Sequence, residues 1–221
     1  MSTMTRTTRL LVTRRDPHTS AYAPVGELTH DPQTQTYAFT YRPEVTRGLP
    51  GLPLGETTVA PDLFPLFGQR IVSPRRADHD EALDLLALDP LAEPFEVLAR
   101  SGGRSATDTL ELTPMPEPGP LDLRFLVHGV RHLTEAERER IETLRPGQPL
   151  ALRPEPTNPQ DADAVLVTDD GHRLGYVPRP LLEYVRPAME RHHELTVERV
   201  NPPAAGFHMR LLVRLAGHLP A

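Results

Sequence analysis

Residues 153–179 read RPEPTNPQDADAVLVTDDGHRLGYVPR, and this stretch decides the fold of the C-terminal half. It contains an Asn-Pro-x-Asp corner at residues 158–161, where Asn and Asp side chains can bond the backbone amides that follow them. The alternating run Ala164–Thr168 predicts a strand, and the Asp-Asp-Gly sequence at 169–171 predicts a tight hairpin turn. Arg173–Val177 predicts the returning strand. The stretch therefore predicts a small β-framework that presents polar groups at fixed places.

Composition excludes several classes of function. The 221-residue chain has no cysteine, which excludes disulfides, thiolate zinc sites, Fe–S clusters and a cysteine nucleophile. This composition suits a reducing cytoplasm. All 24 basic residues are arginines, so the lysine of a P-loop, of a protein-kinase lobe or of a Schiff-base enzyme is missing. No apolar run approaches the length that spans a bilayer, so no membrane association is expected.

The net charge of −6 is shared unevenly along the chain. Residues 1–118 hold 11 arginines and 16 acidic residues, a balance of −5, and residues 119–221 hold 13 and 14, a balance of −1. Neither half has the strong positive field of a non-specific duplex binder. Any nucleic-acid contact is therefore expected to be local and to use few phosphates.

A proline-rich run, TPMPEPGPLDL near residues 113–123, marks a domain boundary. Its four prolines and one glycine predict a stiff, extended connection. We therefore predict one domain at 1–113, a linker at 114–120 and a second domain at 121–221. The expected fold class is α+β to mainly β, and the second domain is expected to be an OB-like, partly open β-barrel with inserted helices.

The N-terminal half predicts four strands and three helices. Pro61 suits the first turn of the first helix, because its fixed backbone angle fits that position. The expected strands are Arg9–Thr13, Pro24–Thr29, Tyr37–Arg42 and Ala106–Leu112, and the expected helices are Pro61–Ile71, Ala77–Leu88 and Pro94–Ser101.

Taken in order, the N-terminal motifs resemble the N-terminal subdomain of the HipA toxin kinases. The motifs are VGELT, a Tyr/Phe strand, PGLPLG, LFPLFGQR and FEVLARSGGRSATDTLEL, and they span most of residues 9–113. The kinase lobes of that family have no counterpart in this sequence, in agreement with the missing lysine. The resemblance implies an accessory, partner-contacting module without catalytic machinery.

Two features of this half have two interpretations each. Tyr37, Phe39 and Tyr41 share one face of a strand, which is typical of a β core and also of a stacking platform. The SGGRSATD run at 101–108 suits a helix C-cap and tight turn, and also a phosphate-binding loop of exposed amides.

The C-terminal half predicts further strands and two helices around the opening stretch. Thr134, with Glu137 three residues later, forms the pattern of a helix-capping box. The other expected strands are Leu123–Val130, Pro149–Pro154, Leu195–Val200 and His208–Leu215, and the expected helices are Glu135–Leu144 and Pro180–Arg191.

This half resembles the HIRAN domain over about residues 121–217. The motifs that carry the resemblance are FLVHGVRH, LRPEPTNPQDADAVLV, LGYVPRPLL and GFHMRLLV, in that order. The resemblance implies an OB-like β-fold. It also implies binding of single-stranded DNA at its 3′ hydroxyl end, as HIRAN domains do in DNA-remodelling fork enzymes.

The resemblance assigns the nucleic-acid contacts to particular residues. Arg131 and Arg179 match arginine or lysine positions that contact the strand, and Phe207 matches a late aromatic on which a base can stack. Asn158 and Asp161 match the corner that receives the terminal nucleotide. A carboxylate there can accept from a 3′ hydroxyl and repels a 3′ phosphate.

Three of the matched residues also have a structural interpretation. Arg131 can equally bridge a surface carboxylate, Asn158 can simply close the corner as an Asx-turn, and Tyr176, a matched ring or phenol, can be a core tyrosine.

The sequence departs from the HIRAN pattern at two places. Gln160 stands where the family often has tyrosine, and His132, itself assigned to the binding site, stands where it often has an aromatic. Both changes weaken base stacking. Histidines are dense in this half, but a metal site needs at least three converging ligands, and no catalytic triad or carboxylate pair stands out. The histidines are His128, His132, His172, His192, His193 and His208.

The sequence therefore favours a non-enzymatic, cytoplasmic protein without cofactor or metal. Its C-terminal domain is expected to bind single-stranded DNA ends, and its N-terminal domain is expected to bind a protein partner. Two alternatives are an antitoxin-like regulator of a separate HipA-type kinase and, third, a metal-dependent nuclease that uses the histidines.

Overall fold

The chain divides into two compact units, each with its own antiparallel sheet. The computed structural model describes residues 8–16, 18–19 and 21–221. The first unit comprises residues up to Leu83 together with Leu88–Met115, and the second comprises Asp84–Ala87 together with Pro116–Ala221. Residues 84–87 thus belong to the second unit, although the predicted boundary assigns them to the first domain.

The first unit is a five-stranded sheet in the order β4-β3-β2-β1-β5 with short helices. Its core contains apolar side chains from the strands, such as Leu10, Leu28 and Phe39, and aromatic rings from the helical segments, such as Phe67 and Phe95. The elements are β1 (Arg9–Arg15), β2 (Tyr22–Asp31), β3 (Thr36–Tyr41), β4 (Thr58–Ala60), α1 (Pro65–Gly68), α2 (His79–Asp84), α3 (Pro94–Ser101) and β5 (Leu110–Pro114).

Three elements of this unit differ from the prediction, two of them helices that are shorter than expected. The helix expected over Pro61–Ile71 is only the four-residue α1, and strand β4 was not predicted at all. Pro65 explains the first difference, because a proline has no amide to donate inside a helix and therefore starts α1 rather than continuing one. The second helix spans six residues instead of the expected Ala77–Leu88.

The aromatic face and the glycine-rich run both have structural roles. Phe39 is buried and contacts Tyr41 edge-on, with ring centroids 4.8 Å apart. Gly102 ends α3 in the left-handed conformation and donates its amide to the Leu98 carbonyl. Arg70, whose side chain is almost fully buried, donates to the Gly103 carbonyl at 2.9 Å. Residues 101–103 therefore form the C-terminal cap of α3, one of the two structures expected for the SGGRSATD run.

The second unit is a six-stranded sheet in the order β6-β11-β10-β7-β8-β9. Its core includes Phe125, Ile141, Val167, Val185 and Val213, contributed by strands and by both helices. The elements are β6 (Gly119–Leu126), α4 (Glu135–Thr143), β7 (Pro149–Pro154), β8 (Val165–Asp169), β9 (His172–Tyr176), α5 (Leu182–Met189), β10 (Glu194–Val200) and β11 (Leu211–Leu219).

The predicted linker at 114–120 is shorter in the structure, because β5 includes Pro114 and β6 begins at Gly119. The capping box of α4 is confirmed: the Thr134 hydroxyl accepts from the Glu137 amide, and the Glu137 carboxylate accepts from the Thr134 amide. None of the helices in the described part of the chain combines the length and the apolar character that crossing a lipid bilayer requires.

Candidate nucleic-acid interface

The β8–β9 hairpin fixes the middle of the site. Asp170 (φ 49°) and Gly171 (φ 81°) both lie in the left-handed region, the geometry that a tight two-residue hairpin turn needs. The hairpin register places Leu166 opposite Tyr176. The turn chemistry predicted from Asp-Asp-Gly therefore also sets where Tyr176 stands.

A backbone bridge joins the chain after β6 to the end of β9. The His128 amide donates to the Tyr176 carbonyl at 2.9 Å, and the Tyr176 amide donates to the His128 carbonyl at 2.8 Å. Gly175 permits this approach: a Cβ added there would lie 2.4 Å from the His128 oxygen. Gly129, at φ 79°, then turns the chain beside the Tyr176 ring. The bridge thereby brings the loop that carries Arg131 next to the β8–β9 hairpin.

The corner at 158–161 is held by the Asn158 side chain. Its Oδ1 accepts from the amides of Gln160 at 2.9 Å and Asp161 at 3.2 Å. Its Nδ2 donates to Glu155 Oε2 at 2.6 Å and to the Tyr176 hydroxyl at 3.2 Å. An asparagine side chain offers two donor hydrogens and two acceptor lone pairs, so all four positions are used. Asn158 therefore closes the corner as an Asx-turn and positions its neighbours.

The Tyr176 hydroxyl is saturated in the same way. It donates to Glu155 Oε2 at 2.8 Å and accepts from Arg173 Nη2 at 2.7 Å and from Asn158. Burial raises the pKa of Tyr176, and the hydrogen bond to Glu155 adds to the shift, so the phenol stays protonated at neutral pH. The half-buried Tyr176 side chain thus connects β9 to the corner through the hydrogen bonds of its hydroxyl.

Glu155 is the residue of this site that the sequence did not single out. Its Oε2 accepts from both Asn158 and Tyr176. These two hydrogen bonds, with smaller effects from the charges of Arg173 and Arg153, lower its pKa below the ordinary value. The available signal was position: Glu155 directly follows β7 and lies three residues before the corner asparagine.

Asp161 and Arg179 form an ion pair. Arg179 Nε lies 3.4 Å from Asp161 Oδ2, and the side chains are 49% and 16% exposed, respectively. Asp161 Oδ1 accepts from the Asp163 amide at 3.0 Å. The acid predicted to receive a terminal hydroxyl is therefore close to a guanidinium that can reach a neighbouring phosphate.

The remaining predicted residues lie on two short 3₁₀ turns that contact each other. Arg131 and His132 lie on Val130–His132, and Phe207 begins Phe207–Met209. Arg131 is exposed, and none of the residues in the described ranges forms an ion pair or hydrogen bond with its guanidinium. The Phe207 ring is 50% exposed, with the Arg138 guanidinium carbon 5.8 Å from the ring centroid.

Phe207 is therefore an exposed aromatic residue of this surface. The strand that was predicted to begin at His208 begins at Leu211. The histidines do not converge: within residues 8–16, 18–19 and 21–221, no cluster of three or more His, Asp or Glu side chains is placed to hold a metal ion.

Comparison with known proteins gives a family match for most of the second unit. Residues 121–219 match the family model of the HIRAN domain, which confirms the resemblance predicted for this half. No curated protein matches the chain. The HipA-like resemblance of the first unit remains a prediction.

Two solved structures are similar to part of the chain. A crystal structure of a protein from Lactobacillus plantarum shares 22% identity, covers 45% of this chain and 97% of its own, and has a TM-score of 0.36. The crystal structure of the HIRAN domain of human HLTF shares 23% identity, covers 45% of this chain and 81% of its own, and has a TM-score of 0.33.

Proposed function

We propose that the HIRAN domain at residues 121–219 binds DNA, specifically the 3′ end of a single strand, without catalysing a reaction on it. The observation that carries this proposal is the bridge between His128 and Tyr176, because it brings the Arg131 loop to the corner that holds Asp161. The family match supports it. The same bridge links the chain after β6 to β9. Because β6 and β9 are the two edge strands of the sheet, this link supports an OB-like, partly open barrel.

In this proposal, the exposed residues contact different parts of the DNA strand. Arg131 and Arg179 supply guanidinium groups for two phosphates, which arginine binds in a bidentate fashion. Phe207 offers half of its ring for a base to stack on, worth roughly 1–3 kcal/mol. His132 lies beside Arg131 on the same exposed turn. Asp161 supplies the acceptor for the terminal hydroxyl, and Asn158 and Tyr176 hold that corner in shape.

The proposal is tested by fluorescence anisotropy of the full chain with labelled single-stranded DNA that ends in a 3′ hydroxyl or a 3′ phosphate. We expect tighter binding to the hydroxyl end. Asp161→Ala should weaken binding to the hydroxyl end more than to the phosphate end, whereas Arg131→Ala, which removes a phosphate contact, should weaken binding to both ends, by about 1–3 kcal/mol for each lost charged hydrogen bond. Equal losses on both ends for Asp161→Ala would overturn end recognition.

Two variants outside this surface serve as controls. Arg191→Ala and Glu190→Ala remove an exposed charge of each sign just after α5. Both should bind like the original protein. If they weaken binding as much as Arg131→Ala does, the contact is a general charge effect and not a site.

We further propose that the first unit binds a protein partner, in the manner of an antitoxin-like regulator of a HipA-type kinase. Among the described residues of this unit, three large apolar side chains are exposed: Leu54, Val59 (62%) and Leu91 (90%). Val59 lies on β4, an edge strand of the sheet. Co-elution of the purified chain with a purified HipA-type kinase, reduced by Leu91→Asp, is the expected result. Absence of a complex at micromolar concentration contradicts this part of the proposal.

A further inference from the structure

Two carboxylates lie beside Asn158, those of Glu155 and Asp161, and different groups contact them. Asp161 faces the guanidinium of Arg179 at 3.4 Å, so a positive charge offsets it. Glu155 instead accepts from an amide and a phenol, both neutral, at 2.6 and 2.8 Å. Within the described ranges, no arginine or histidine comes within ion-pair distance of the Glu155 carboxylate. Neutral donors orient a carboxylate without cancelling its charge.

The Glu155 carboxylate is also held in one place and keeps a free acceptor. Both of its hydrogen bonds end on Oε2, and no described residue donates to Oε1. Asn158 links the two acids directly, because its Nδ2 bonds Glu155 while its Oδ1 bonds the Asp161 amide. The two negative charges therefore flank one side chain at the same corner.

We propose that Glu155 is the main specificity-determining residue of this corner, excluding DNA strands that end in a 3′ phosphate. This inference rests on the proposed function. A terminal phosphate brings negative charge to a corner where Arg179 pairs directly with Asp161, whereas Glu155 has no direct ion pair with a described residue and is screened only by the more distant Arg173 and Arg153. A terminal hydroxyl brings no charge and can donate to a carboxylate oxygen.

Arg173 and Arg153 place positive charge near Glu155. Both lie near enough to lower the pKa of Glu155, after the larger effects of Asn158 and Tyr176, yet neither forms an ion pair with it. They favour phosphates further along the strand. The corner would then attract the DNA backbone and reject only a charged end.

The test measures the ratio of affinities for 3′-hydroxyl and 3′-phosphate oligonucleotides in the full chain, using Glu155→Gln, Asp161→Asn and the matched control Glu190→Gln. Glutamine keeps the shape and one acceptor oxygen, so the variant removes charge with little other change. We expect Glu155→Gln to lower the ratio about fivefold, mainly by tighter binding of the phosphate end. Asp161→Asn should lower the ratio less, and Glu190→Gln should leave it unchanged.

Two results separate failure of this inference from failure of the proposed function. If the original protein binds neither oligonucleotide, or binds both equally, the proposed function fails. If the original protein prefers the hydroxyl end and Glu155→Gln keeps the full preference, or Asp161→Asn loses more of it, the inference about Glu155 is overturned. Circular dichroism of Glu155→Gln, and a second variant Glu155→Asp that retains the charge and the preference, exclude misfolding as the cause.

Discussion

The Asn158 side-chain amide and the Tyr176 hydroxyl form all of their possible hydrogen bonds with other residues of the same chain. The sequence predicted both as part of the binding site and left the structural roles open. It could not decide, because Tyr176 lies 18 residues after Asn158 and 21 after Glu155. Only the register of β7, β8 and β9 brings them together, and a register is not readable from a local pattern.

Asn158→Ala should therefore act on stability before it acts on binding. The change removes two turn-closing bonds and leaves Glu155 and Tyr176 each with one partner fewer, at a cost of about 1–3 kcal/mol in the free energy of unfolding. Urea denaturation followed by circular dichroism measures this cost. Gln160→Ala, at an exposed neighbour in the same corner, should cost less than about 0.5 kcal/mol. Equal stability of the two variants contradicts the positioning role.

We predict a pH dependence of stability at Asp122, which lies on β6, outside the proposed DNA site. Burial acts to raise its pKa, but hydrogen bonds and charges from Arg214 and Arg124 outweigh burial, so its pKa lies below the ordinary value. A carboxyl group with a lowered folded-state pKa stabilises the fold above its unfolded pKa, and this stabilisation is lost as the pH falls through the folded pKa. Asp122→Asn should therefore destabilise the protein at pH 7, and the difference should shrink below about pH 4. Urea denaturation at pH 7 and pH 3 measures it, and an equal difference at both values argues against this role.

At the scale of elements, patterns with a local cause were predictable and patterns with a distant cause were not. The helix Pro94–Ser101 and the strand Pro149–Pro154 have the predicted bounds, since proline and glycine punctuate the helix and alternation marks the strand. Strand β4 has three residues and depends on pairing with β3, so no sequence period announces it. In the site, the corner and the turn were predictable, whereas the contact between the 3₁₀ turns at Arg131 and Phe207 depends on tertiary packing.

Gly175→Ala tests the element that assembles the site. Gly175 has φ +127°, and an added Cβ would lie 2.4 Å from the His128 oxygen and 2.6 Å from Val127 Cγ1. Since backbone cannot move aside cheaply, we expect a loss of more than about 2 kcal/mol in unfolding free energy and weaker DNA binding. Gly147→Ala is a matched control, because φ is +82° and nothing lies within 4 Å of its added Cβ. If both variants lose the same stability, the backbone angle and not the close approach at the bridge is responsible.

At the scale of the whole molecule, the charge distribution limits how the proposed DNA contact can be made. The net charge is −6, yet residues 119–221 are nearly balanced, with 13 arginines against 14 acids. A neutral domain cannot rely on a long-range field, so affinity must come from a few local pairs. Recognition of a strand end is consistent with this balance, whereas coating of a long strand is not.

The salt dependence of binding measures this directly. Contacts of Arg131, Arg179 and at most one further arginine neutralise two or three phosphates, which for single strands gives a slope of about −1.4 to −2.1 in log K against log salt. Affinity should then fall about tenfold between 50 and 200 mM salt. Arg131→Ala should make the slope shallower by about 0.7, because one released counterion is lost, while Arg191→Ala should leave it unchanged. A slope steeper than about −4 would mean an extended phosphate-binding track, which the charge balance of residues 119–221 argues against.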